Sequence, residues 1–578
     1  MDVLGIDVGG TFTDAVFFRD GRLVTAKVPT RPEQSESVLE AARAVGAETV
    51  DRFVHGTTVA TNALLERKGA RTAFVTNDGF EHLLYLRRQA RASLYRLCAD
   101  WAPPVVPLGR CVGVRGRVGP NGELAPLELS SLPSLQAEAV AVCLLHAYRD
   151  PSHERRVAAE LRRRLPDAHV VASHEVSPEF REYERASTTV IDAYLGPVVS
   201  RYLRALASAC AQAGLPEPLV MRSSGGVAAL EEAASHPAIA LVSGPAGGTV
   251  GAALVASRAG FTKAIALDMG GTSTDVSLVV DGRVDRTAQR DVGGFPVRLP
   301  SVDLHTVGAG GGSIVRRDAG GALRVGPESA GAHPGPACYG RGGAALTVTD
   351  ANLLLGRLPH TLPGGLELDV EAAARALGDI EPADVVAAVN AEMLRAIRVV
   401  SVERGHDPGE FALVAFGGAG PLHACALADE LEIATVIVPE TAGVLSALGL
   451  AAGEERHDRV QTYLVELSEA GELPAEGEAD LRYRGQSFEL TVPLQPRLAE
   501  AFHAAHAERY GFADPDRDIE LVAVRTADVR PAPPLELPAL PPQTTRGPAR
   551  VELAGSTLWL PPGWVGARDG PTWIATRT

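Results

Sequence analysis

The chain has 578 residues, 46% of them hydrophobic and 22% charged, which is ample apolar material for a large buried core and excludes disorder or a collagen-like fibre as a description of the whole. A formal net charge of −16 argues against nucleic-acid binding as its main task. The six cysteines are scattered, with no C-x-x-C pair, so neither a disulfide framework nor a structural zinc site is expected.

The first ten residues, MDVLGIDVGG, read as a strand entering a turn, without the basic and apolar regions of a secretory leader. The apolar stretch AVAVCLLHAY (139–148) contains His146 and is too short to span a bilayer. A cytoplasmic location is the expectation. Only Lys27, Lys68 and Lys263 are lysines; nearly all other basic charge is arginine, a skew that looks like genome composition.

Residues 4–14 read LGIDVGGTFTD, and residues 265–275 read IALDMGGTSTD. The constant offset of 261 continues without a gap and brings nine identities into register: Asp7, Gly9, Gly10, Thr11, Thr13, Asp14, Asp20, Gly21 and Arg22 on Asp268, Gly270, Gly271, Thr272, Thr274, Asp275, Asp281, Gly282 and Arg283. Each copy reads as an apolar strand, a Gly-Gly turn, a Thr-x-Thr-Asp and a second apolar strand closed by an Asp-Gly hairpin. Two glycines let backbone N–H groups approach an anion, and threonine hydroxyls add donors. The aspartates repel phosphate and suit a hydrated Mg²⁺, or an oriented water, beside it. Neither copy is a G-x-x-x-x-G-K-[ST] or G-x-G-x-x-G loop.

Paired loops of this kind resemble the actin, sugar-kinase and heat-shock-chaperone ATPases. That likeness implies an α/β fold of two duplicated, ribonuclease H-like lobes gripping ATP in the cleft between them. A third element of that superfamily, a Gly-Gly turn beside the adenosine, resembles FALVAFGGAGPLHACALADEL (411–431), which supplies Gly417, Gly418 and Gly420.

Six further blocks resemble one branch, the hydantoinase A and 5-oxoprolinase family: VHGTTVATNALLERKGARTAFVTNDGF (54–80), SPEFREYERASTTVIDAYLGPVVSRYL (177–203), SSGGV with LVSGPAGGTVGAA (223–253), SVDLHTVGAGGGSIVRRD (301–318), GAHPGPACYGRGG (331–343) and GEERHDRV (453–460). The stretch 100–135 is shorter than this likeness leads one to expect, so substrate contacts carried there in relatives are not expected here. The resemblance implies ATP-dependent opening of a cyclic amide such as a hydantoin, 5-oxoproline or a lactam. ATP would phosphorylate the amide oxygen, and water activated at a metal in a B-type partner subunit would complete the hydrolysis. A related branch activates ketones and bicarbonate in acetone and acetophenone carboxylases; a non-catalytic nucleotide-binding assembly protein is the alternative from outside the enzyme class. The chain's length matches the A-type half of single-chain oxoprolinases, so a hetero-oligomer is expected.

Asp7, Asp14, Asp268 and Asp275 are the expected catalytic carboxylates, with Asp7 and Asp268 holding Mg²⁺ through water. The loop glycines and Thr11, Thr13, Thr272 and Thr274 are expected at the nucleotide. His305, before GAGGG (308–312), suits acid–base work with Asp303 orienting it; a structural histidine is the alternative. His55, Thr57, Thr58 and Asn62 could bind substrate at a helix start, or Thr58 could simply cap it. Gly244–Gly248 read as a loop feeding a helix, suited to nucleotide contact or to packing. No role is assigned to His333 or Cys338, since the ATP-dependent route needs no thiol. Helices are expected over 187–213 and 383–405 from apolar positions at three-to-four spacing. The expected domains are 1–185, 186–460 and a C-terminal α+β module, 461–578, with a strand pair at 479–494, a helix at 499–512 and a proline-rich linker at 531–547.

Overall fold

The computed structural model describes residues 1–362 and 365–578. The repeated sequence folds as a repeated topology. In the first lobe, β1 (Val3–Val8), β2 (Phe12–Arg19) and β3 (Arg22–Pro29) form an antiparallel meander, and β4 (Arg52–Thr57) and β5 (Leu219–Met221) add parallel to β1 on its other side. In the second lobe, β6 (Ala264–Met269) and β7 (Thr274–Val280) form the hairpin, and β9 (Ala412–Phe416) and β10 (Thr435–Pro439) lie parallel beside β6. The place of β3 is filled twice on β7: by the short strand Arg283–Val284 and by β8 (Leu304–Val307). This is the duplicated, mixed-sheet α/β architecture expected from the repeat. Strands β1, β6 and β9 are nearly continuous apolar runs because helices cover both faces.

Two helices carry the chain between the lobes. α2 (Ser243–Arg258) leads from the first to the second, and α3 (Leu445–Ala451) leads back. They cross so closely that a side chain at Gly449 would strike the Gly247 carbonyl at 1.8 Å. The small residues of LVSGPAGGTVGAA therefore serve close packing. The long helix α1 (Glu182–Gln212) packs through Ala186, Val190 and Ala193 on a further sheet and through Leu206 and Cys210 under the first. A five-stranded sheet built from residues 72–172 attaches to the first lobe.

The expected helices appear as Glu182–Gln212 and Pro382–Val400, the strand pair as Glu478–Tyr483 with Leu490–Pro493, and the later helix as Leu498–Tyr510. The expected domain limits fall within elements: 185/186 lies inside α1, and 460/461 inside strand Glu455–Glu466. The C-terminal residues are shared between the lobes. Glu455–Glu466, Glu478–Tyr483 and Ile519–Arg530 extend the first sheet, whereas Trp564–Asp569 and Thr572–Arg577 extend the second beside β10. An open parallel edge offers unpaired N–H and C=O groups, and each C-terminal piece covers one. No helix among the described residues is long and apolar enough to cross a membrane.

Candidate functional site

In both hairpins the motif's seven-residue spacing sets its two aspartates directly opposite each other: Asp7 pairs with Asp14, and Asp268 with Asp275. Cross-strand partners share a face, so each loop presents two adjacent carboxylates. The turns are alike, with Gly9 N–H donating to Phe12 O and Gly270 N–H to Ser273 O, both at 3.0 Å. Thr11 and Thr272 stay accessible at the turn. Thr13 and Thr274, expected at the nucleotide, are instead fully buried. The Thr13 hydroxyl meets Thr30 Oγ1 at 3.0 Å, and Thr274 Oγ1 donates to Ala309 O. Period-2 alternation turns them to the other side of each loop, where they brace it.

Neighbouring strands leave room for the carboxylates only because of glycine. Gly56 is opposite Asp7, and a Cβ there would lie 2.6 Å from Asp7 Oδ1. Gly417, at φ +78°, follows the residue opposite Asp268, and a Cβ would lie 2.4 Å from Asp268 Oδ1. The chain then enters helix α4 (Gly420–Glu430), with Gly418 facing open space. The start of α2 also faces the site: a Cβ on Gly244 would lie 3.3 Å from Asp7 Oδ1.

Burial is the main cause that raises all four aspartates above the usual carboxylate range. Asp7 is pushed up to about 7, with Asp14 adding to the effect and Lys27 opposing it. Asp268 is pushed up to about 8, with Asp275, Asp7 and Asp14 adding and Lys27 opposing. Carboxylates of the two loops thus feel each other across the cleft. Asp7 Oδ1 is buried without a hydrogen-bond partner. Among the described residues, no three Asp, Glu, His or Cys side chains converge as direct metal ligands. Repelling, partly unpartnered carboxylates around an open Gly-Gly turn fit a hydrated divalent cation held through water.

The hydantoinase/oxoprolinase N-terminal region matches residues 3–165, and the hydantoinase/oxoprolinase domain matches residues 185–459. The chain belongs to this family. It is 33% identical to the caprolactamase subunit alpha of Pseudomonas jessenii, over 97% of each chain. The crystal structure of the ATP-dependent caprolactamase from that organism superposes with a TM-score of 0.87 at 31% identity, covering 99% of both chains. The 5-oxoprolinase of Saccharomyces cerevisiae is 31% identical over 91% of this chain, which spans only 50% of that longer protein.

Other residues singled out from the family likeness behave differently. Asp303 does not orient His305: its carboxylate is clamped by the Arg404 guanidinium. His305 lies opposite Val276 in the β7–β8 pairing, so it points to the face away from Asp275 and Thr306. His55 is fully buried, its Nε2 2.9 Å from the Tyr202 hydroxyl, and burial lowers its pKa to about 4. It is a core residue under the sheet, out of reach of a substrate. Thr57 is buried against Ser243, and Thr58 donates to Val8 O instead of capping its helix. Asn62 is partly exposed one turn further on and touches neither loop's carboxylates through a hydrogen bond. Burial drives the Cys338 thiol well above its ordinary range, which suits a core residue.

Sequence reasoning alone passes over Lys27. Its ammonium lies 2.7 Å from Asp14 and donates to Gly443 O, across the cleft, at 3.0 Å. Lys68 and Lys263 are surface residues, so Lys27 is the single lysine at the site in a chain that elsewhere uses arginine. That skew is the signal that could have found it. The hydroxyl of Thr306 donates to Asp275 Oδ1 in the second loop, and Arg290 lowers the pKa of Asp275 from nearby.

Proposed function

We propose that this chain is the ATP-using subunit of a cyclic amidase, activating a lactam, hydantoin or 5-oxoproline by moving the γ-phosphoryl group of ATP to the amide oxygen. The observation that carries the reading is the pair of facing Asp-Gly-Gly-Thr hairpins with four raised, mutually repelling aspartates, in a chain collinear with the alpha subunit of a caprolactamase.

An amide oxygen is a poor nucleophile, so the protein's task is to position it and to neutralise charge on the transferring group. The exposed N–H groups and hydroxyls of Gly9–Thr11 and Gly270–Thr272 would bind phosphate oxygens. Gly417, Gly418 and Gly420 would pass beside the adenosine at the start of α4. Asp7 and Asp268 would hold the waters of a Mg²⁺ ion, with Asp14 and Asp275 behind them. That cation would neutralise phosphate charge when bound. Lys27 would keep Asp14 ionised. Transfer breaks the bond from the γ-phosphorus to its bridging oxygen, releases ADP and leaves an imidate phosphate with an electrophilic ring carbon. Opening that carbon to water requires a second centre, which we assign to a B-type partner subunit. The caprolactamase relative is itself a subunit alpha, which supports a partner.

The test is ATP turnover with the co-purified partner, scanning hydantoin, 5-oxoproline and ε-caprolactam, with acetone or acetophenone plus bicarbonate in parallel. Amide-dependent phosphate release that disappears in Asp7→Ala and Asp268→Ala is expected. Release dependent on a ketone and bicarbonate alone would transfer the chain to the carboxylase branch. Release that survives both substitutions would remove the site assignment.

A further inference from the structure

A cavity of about 390 Å³ lies away from the phosphate loops, between the segment Glu175–Glu179, the end of β5, the turn before α2 and strand Glu455–Glu466. Its size is that of a small-molecule site. Its wall sets apolar groups, Val176, Pro178, Ile239, Leu299, Pro300 and Val460, among a larger number of polar and charged ones.

The polar groups in the wall are nearly all spoken for by protein partners. Arg298 is held by Glu179 at 2.7 Å, and Glu179 also binds Arg525. Arg222 is held by Glu232 at 2.6 Å, Glu175 by Arg162, and His236 by Asp192 at 3.1 Å. Two remain. Arg459 is exposed to water and, next to Asp458 on an extended strand, turns to the other face. Asp458 gives one oxygen to Arg456 at 2.7 Å, while its Oδ2 is buried without any partner; its side chain is 9% exposed. A buried, unpartnered carboxylate oxygen is costly, and its complement is an N–H donor. With wall charges otherwise cancelled, the matching ligand is compact, with one N–H for Asp458 and apolar surface for Ile239, Leu299 and Val460. That is the description of a cyclic amide.

The cavity also connects to the phosphate site. Ile239 is in its wall, and Ser243, at the start of α2, hydrogen-bonds Thr57 O. Those four residues of chain span at most ~14 Å, and no wall residue belongs to either phosphate loop, so an amide in the cavity lies outside the loops. The Ser223 hydroxyl ties down both Ile239 O and Leu241 O, and Val242 is held at φ +54°. A β-branched residue adopts that conformation only under constraint, so the turn is a stiff link between the cavity and the helix start facing Asp7.

Resting on the proposed function, we infer that this cavity is a holding chamber that binds the cyclic amide before phosphoryl transfer. Its signature is nucleotide-free binding. Calorimetric titration of the full-length protein with ε-caprolactam, hydantoin and 5-oxoproline is expected to find at least one that binds wild type and Asp7→Asn alike. Asp458→Asn, which keeps the shape, and Ile239→Trp, which fills the space, should each weaken that binding tenfold or more. They should raise KM for the amide while kcat stays within about twofold. Failure of all three amides to bind without nucleotide would overturn the chamber, and so would an amide whose binding and KM ignore both substitutions. The titration needs no turnover, so it reads the chamber even where the assay of ATP-driven amide opening fails.

Discussion

The two phosphate-loop hairpins share their strands, turn and paired aspartates, yet they are braced differently. In the first, the third strand comes straight from the Asp20-Gly21 turn, and β3 sets Lys27 opposite Asp14 and carries Thr30 to the loop, where it donates to Gly9 O. In the second, the chain leaves after Val284, wanders through residues 285–303, and only then returns as β8 with Thr306 opposite Asp275. The loop behind β8 is GAGGG, whose Gly311 and Gly312 N–H groups donate to Gly270 O and Gly271 O. One loop thus receives an ammonium and a threonine brace, the other a hydroxyl and a glycine backbone brace. Duplication preserved the part that meets the ligand, whereas its support diverged. The electrostatic result is unequal: Lys27 opposes the rise at both Asp7 and Asp268, but one other carboxylate raises Asp7 whereas three raise Asp268.

The largest effects should come from what the loops share. Asp7→Asn and Asp268→Asn are each expected to cut amide-dependent ATP turnover by about 10²–10³-fold. A difference of more than tenfold between them would show that one loop dominates and break the equivalence. Next come the glycines that make room for these carboxylates. Gly417→Ala should lose about 10–100-fold in kcat/KM for ATP, because its methyl group meets Asp268 and its φ is left-handed. Gly56→Ala, whose methyl group meets Asp7 and the flexible end of Leu450 but whose backbone is not left-handed, should lose less. Circular dichroism and size-exclusion profiles matching wild type would assign the loss to the site.

How much of this can be read from the sequence follows the same division. The hairpins and their facing aspartates are legible, because a 261-residue repeat of Asp, Gly-Gly, Thr and Asp specifies strand, turn and register together. Thr13 and Thr274 pass for nucleotide donors because a hydroxyl's residue type says nothing of its face; counting by twos from Asp14 and Asp275 turns them inward. Asp303 and His305 sit two residues apart and look like a pair, but the partner of Asp303 is Arg404, about a hundred residues away. The third strand is the least legible feature: in the second lobe it comes from 304–307, beyond an excursion with no local signal.

The braces should therefore show intermediate effects that differ in kind. Lys27→Met is expected to lower kcat/KM for ATP about tenfold and to move the acid limb of its pH profile upward, since removing the ammonium raises Asp7 and Asp14 further. Thr306→Val should cost only a few-fold, as one neutral hydroxyl is lost from Asp275. Thr306→Lys places an ammonium where the first loop has one, and should move the acid limb down. An acid limb indifferent to all three would separate the loop carboxylates from the titration.

The smallest effect is on the unliganded protein. Asp7 and Asp268 have folded pKa values near 7 and 8, against an unfolded value of 3.8. Between about pH 4 and pH 8 the folded chain therefore keeps protons that the unfolded chain has released. Stability must fall as pH rises through that window. Asp268→Asn should flatten this decline more than Asp7→Asn, because burial and three neighbouring carboxylates raise Asp268 further. Mg²⁺ favours the ionised forms, so it should raise Tm more at pH 8.5 than at pH 6. A cation effect independent of pH would mean that the ion binds elsewhere, and equal flattening by the two substitutions would mean that the extra carboxylates around Asp268 do not set the loops apart.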